Sequence, residues 1–77
     1  MKVISDFLFG LVILLHKHSI EILPKQRVAI LRPDHVKEFN SFLGDDDVNE
    51  FMKSNVIGMH KIGKNLKIIY TLKNLKL

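Results

Sequence analysis

Residues Ser41–Phe51, SFLGDDDVNEF, hold the turn on which the fold of this chain depends. A glycine directly after an apolar stretch is a common helix stop, because it enters the left-handed conformation without a Cβ penalty. Aspartate is a strong helix starter, since its carboxylate accepts from free backbone amides and opposes the positive end of the helix dipole. Gly44 followed by Asp45, Asp46 and Asp47 therefore predicts one helix ending and another beginning almost at once. Upstream, Pro33 suits a first helical turn, and Val36, Phe39 and Leu43 share a face with Phe42 alongside. Downstream, Asp47 and Glu50 have capping-box spacing, and Val48, Phe51 and Met52 form a short apolar face ending near Ser54–Asn55. Residues 33–54 thus read as two helices joined by a tight corner.

From Val56 the apolar period changes to that of a strand. Leu66, Ile68, Tyr70 and Leu72 alternate with Lys67, Ile69, Thr71 and Lys73, and Gly63-Lys64-Asn65 joins them to Val56–Ile62, which predicts a hairpin over residues 56–72. With a two-residue loop, Ile57 and Met59 share the face of Ile68, Tyr70 and Leu72; with three, Val56, Gly58, His60 and Ile62 take that face. The first register buries the larger side chains and is preferred. Residues 73–77 form a basic tail that either extends the strand or frays. On the N-terminal side, Gln26–Leu31 is a β-branched and aliphatic run that reads as a brief strand, with a helical turn as the alternative. Before it, Ser5 is an N-cap candidate for an apolar helix within residues 1–20, running to about His18, and Pro24 blocks its continuation.

The chain has 77 residues, no cysteine, 47% hydrophobic and 26% charged side chains. That is the composition of one small globular domain, and it excludes disulfide staples and thiolate metal sites. A reducing cytoplasm fits it best. The net charge of +4 is segregated. Residues 1–33 carry five basic and two acidic groups, residues 34–50 one and six, and residues 51–77 six and none. Phe7–Leu15, FLFGLVILL, is nine residues long against the roughly 20 of a spanning helix, so no membrane segment is expected. No small-residue cleavage site follows it, which argues against a signal peptide. A helix apolar nearly all round needs cover on most sides. The alternatives are an ordinary core helix and a homodimer contact through Phe7, Leu8, Leu11, Val12 and Leu15.

The expected fold class is α+β, with three helices, a short strand and a C-terminal hairpin. In this order His35–Gly44 and Val56–Leu72 resemble the second helix with its turn, and the wing, of winged helix-turn-helix domains. The resemblance implies a DNA-binding protein whose third helix reads the major groove and whose wing touches the backbone. Carried onto this sequence, the reading positions are Asp46, Asn49, Glu50 and Lys53, and the wing contacts Lys61, Lys64, Asn65 and Lys67. With Lys73 of the tail, Lys53, Lys61, Lys64, Asn65 and Lys67 form the candidate nucleic-acid-binding set, since lysines neutralise phosphates and release counterions. Successive aspartates repel phosphates, so helix capping accounts for them better than base reading.

Catalytic and metal chemistry have little support. His16 and His18, two apart, point to different sides of a helix, and His35 and His60 lie in separate elements. The aspartate run lacks calcium-loop spacing, no glycine-rich phosphate loop occurs, and no activated nucleophile is suggested. Neither an enzyme nor a cofactor is expected. Two functions follow: a small regulatory protein gripping double-stranded DNA through a lysine-rich wing, or an interaction module offering the acidic helix-turn-helix face to a protein partner.

Overall fold

A computed structural model describes residues 5–72. The first helix, α1 (Asp6–Lys17), starts where Ser5 accepts a hydrogen bond from the Leu8 amide at 3.1 Å, with Asp6 in the first turn and His16 and Lys17 in the last. Two strands follow, β1 (Ser19–Leu23) and β2 (Gln26–Leu31), then α2 (Pro33–Phe42), α3 (Asp46–Asn55), β3 (Val56–Ile62) and β4 (Asn65–Thr71). The class is mixed α+β. Proline opens α2 as expected, and the chain leaves it through Leu43 and Gly44, whose φ of 127° is open to glycine and little else.

One antiparallel sheet takes the order β1-β2-β4-β3. The central pair β2–β4 sets Ala29 opposite Ile68 and Leu31 opposite Leu66, so these side chains share the face turned to the helices. On that face Ala29, Leu31, Ile68 and Tyr70 are buried beneath Leu8, Leu11, Leu14 and Leu15 of α1, Phe39 of α2, and Val48 and Phe51 of α3. Each large side chain so covered contributes roughly 1.5–3 kcal/mol of transfer free energy. The helices form a layer on one side of the sheet, and among the described residues the other side carries no helix.

Three expectations need correction. Residues Ser19–Leu23, assigned to the end of the first helix and its exit, form the edge strand β1, paired with β2 across a Pro24-Lys25 turn. The second hairpin has the preferred two-residue loop, Ile62 facing Asn65, and Met59 does lie opposite Ile68; yet a bulge between Val56 and Gly58 places Val56, not Ile57, opposite Tyr70. A bulge inserts one unpaired residue and so switches the face of everything beyond it. Finally, Leu8, Leu11 and Leu15 are not a free contact surface. Leu11 and Leu15 are fully buried in the chain's own core and Val12 packs against it, which leaves only Phe7, 54% exposed, of the five residues named for a dimer. The apolar groups that α1 turns outward are Phe7, Phe9 and Ile13.

Candidate nucleic-acid interface

The aspartate corner is a joint. Asp45 is the N-cap of α3, its Oδ2 accepting from the Val48 amide at 3.1 Å, and the same oxygen accepts the Ser5 hydroxyl at 2.8 Å. Asp47 accepts from the Ser5 amide at 3.1 Å. The starts of α1 and α3 are thereby tied through Ser5. The capping residue is Asp45 and not Asp47, so the Asp47–Glu50 capping box is replaced by a bond between helices. Asp46, Asn49, Glu50 and Lys53 lie at the spacing of one helix face and are all exposed. Three of these four carry no positive charge and two are acids, which disfavours contact with phosphates.

The hairpin starts without a loop, because Val56 follows the last residue of α3 directly. Asn55 is buried, and its Nδ2 donates to the Thr71 carbonyl at 2.8 Å, fastening the base of the hairpin to the end of β4. At the far end Gly63, with φ 63°, and Lys64 make the turn. Lys64 is exposed at the tip beside the half-buried Asn65. Lys61 faces Leu66 and is exposed on the helix side of the sheet. Lys67 pairs with His60 and with Ile30, which places it half-buried on the opposite side. The hairpin therefore holds Lys64 at its tip, with Lys61 on the helix side of the sheet and Asn65 on the other side with Lys67. Lys53 sits in the last turn of α3, where a cation complements the helix dipole. Lys73 lies outside the described residues.

The structure also joins two residues that sequence spacing kept apart. The rings of His18 and His35 stack with centroids 3.9 Å apart, tilted by 34°, where the end of α1 meets the start of α2. They border a shallow recess of about 220 Å³ lined by Gly10, Ile13, Leu14, Lys17, His18, His35, Glu38 and Phe42. Burial holds the His18 pKa below its ordinary value, aided by the charges of His35 and Lys17 and opposed by Glu38. The Nδ1 of His35 is buried without a hydrogen-bond partner. Among the described residues no three His, Asp or Glu side chains are grouped to hold a metal ion. Nor, among them, is any helix long and apolar enough to cross a membrane. No protein-family model matches the chain, and no curated protein or solved structure does so either.

Proposed function

We propose that this chain is a non-catalytic binding protein that grips the phosphate backbone of double-stranded DNA with the tip of its second hairpin, through Lys61, Lys64 and Asn65. The observation that carries it is a hairpin anchored at its base by Asn55 and presenting exposed lysines at its end, with no acidic residue anywhere after Glu50. A fixed cationic projection lowers the potential for a polyanion without competing carboxylates on the same element. The element order implied by the winged helix-turn-helix resemblance also supports this function, with β1 added ahead of β2. For the acidic-face alternative, Asp45 and Asp47 serve to join α1 to α3, and the exposed acids of that face are Asp34 and Glu38 of α2 and Asp46 and Glu50 of α3.

Fluorescence anisotropy of a labelled random duplex over a salt series tests the assignment. Binding should weaken linearly in log–log form, with a slope of about −0.9 for each phosphate neutralised, and Lys61→Glu with Lys64→Glu should flatten that slope by about 2. Absence of binding by the unmodified protein at low salt overturns it.

A further inference from the structure

We infer that the sheet face turned away from the helices is a docking surface for an amphipathic helix of a protein partner, one whose apolar stripe carries a carboxylate. Strand register defines the surface. Ile20 pairs with Val28, Val28 with Ile69 and Ile69 with Gly58, so one cross-strand row spans all four strands and is apolar throughout. The adjacent row runs Ile30, Lys67, His60, and Ile62 lies beyond it opposite Asn65. Ile20 is 68% exposed, Ile62 54% and Ile30 41%, whereas Ala29, Leu31, Ile68 and Tyr70 on the inner side of the same sheet are buried. Isolated exposed aliphatics are ordinary, whereas a contiguous row on a flat element marks a contact surface.

Charge selects the occupant. Leu23, Gln26, Thr71, Asn65, His60 and Lys67 complete the paired positions of this face, and none of them is acidic; Glu21 pairs with Arg27 on the other side. Lys67 is half-buried and stands between Ile30 and His60, the one lysine among the paired positions of this face. A second copy packed face to face would bring Lys67 no carboxylate, because the paired positions of this face hold none. A lipid surface is best met by cations at a rim that reach headgroups around an inserted apolar centre, and here the lysine stands on an inner strand of the sheet. An aliphatic stripe containing one glutamate or aspartate satisfies both features, and a helix on this side would complete a three-layer packing of a sheet between helices.

The test uses two synthetic helical peptides of about 18 residues, long enough to cross four strands. Both carry leucines at i, i+3, i+4 and i+7; one has glutamate within the stripe and the other lysine. The expected result is glutamate-peptide binding at least about tenfold tighter than that of the lysine peptide. Amide shifts should be confined to the four strands and leave the helices unchanged. Ile20→Thr with Ile30→Thr should abolish binding while circular dichroism stays unchanged, and Lys67→Glu should reverse the peptide preference. Lys61→Glu with Lys64→Glu should leave peptide binding intact, which separates this surface from the hairpin tip and from the outcome of the DNA experiment. Equal affinity for both peptides or no binding of either overturns the inference. So does binding to phosphatidylserine vesicles alone, or self-association of the protein removed by Ile20→Thr.

Discussion

The two hairpins of this sheet share a two-residue loop and differ in turn geometry and in chemistry. Each turns through a residue at φ 63°, yet the first uses Lys25 and the second Gly63. Each is anchored by one polar side chain. In the first, the Ser19 hydroxyl accepts from Arg27 Nε at 2.8 Å and lies 3.0 Å from the Tyr70 hydroxyl; in the second, Asn55 holds the Thr71 carbonyl. Their surfaces diverge. The outer side of β1–β2 is aliphatic, whereas β3–β4 carries its lysines near and at the tip. A sheet built from such unlike hairpins separates an apolar contact region from a cationic one while both draw stability from the core along β2 and β4.

That shared core is the place to test the comparison most severely. Ile68 of β4 is fully buried among both hairpins and the helices, and Ile68→Ala should cost roughly 2–5 kcal/mol in denaturant unfolding, since it removes packed atoms and leaves a cavity. Ile30→Thr, one strand away on the exposed side, should change stability by less than about 1 kcal/mol. Similar losses at the two positions would mean that the outer side is covered in solution and that the two faces are not distinct.

The anchors give the next largest effect. Asn55→Ala deprives the Thr71 carbonyl of a buried donor, and Ser19→Ala removes the hydroxyl shared by Arg27 and Tyr70. Each should cost about 1–3 kcal/mol. Hydrogen exchange checks how the damage is distributed: Ser19→Ala should deprotect β1 and leave β3 unchanged, and Asn55→Ala should do the reverse. Uniform loss across the sheet in both variants would show that the hairpins do not loosen separately.

The second hairpin was legible in the sequence, and of the first only the strand Gln26–Leu31 was. Alternating Leu66, Ile68 and Tyr70, together with Gly63, indicated both strands of the second, and burial of the larger side chains favoured the two-residue loop over three. Ser19–Leu23 follows a helix without a glycine and runs into Pro24, and nothing about Lys25 signals a left-handed turn. The helix stop and start around Gly44 were equally clear, but not the link from Asp45 and Asp47 to Ser5, which joins positions 40 and 42 apart. In α1 nearly every residue is apolar, so periodicity had no contrast with which to distinguish inward Leu11 and Leu15 from outward Phe9 and Ile13. The stacking of His18 on His35 comes from two elements meeting and has no local signature.

The burial of His18 beside His35 should make the first hairpin sensitive to acid. His18 directly precedes β1, and its carbonyl accepts from the Ile30 amide at 3.2 Å. Because its folded pKa lies below the ordinary 6.5, the unfolded chain takes up the proton more readily. The stabilisation is therefore complete above pH 6.5 and is lost as pH falls from there toward the lowered folded value. The stability difference between wild type and His18→Gln should shrink on acidification through this window, with exchange rising first in β1. A difference that stays constant with pH would remove the proton linkage from the stack.

The smallest expected change lies in the turns. Holding an ordinary residue in the left-handed region costs about 1–2 kcal/mol, a cost partly offset on substitution by the greater backbone freedom that glycine has in the unfolded chain. Lys25→Gly should therefore stabilise by up to about 1 kcal/mol, and Gly63→Ala should destabilise by about the same amount. Neither position is buried, and a Cβ at Gly63 would meet nothing within 4 Å, so conformational strain alone is being measured. Opposite signs, read from thermal unfolding, would establish that a left-handed φ is relieved by glycine at position 25 and already met by it at position 63. A destabilising Lys25→Gly would instead mean that the lysine makes an interaction in the turn worth more than its strain.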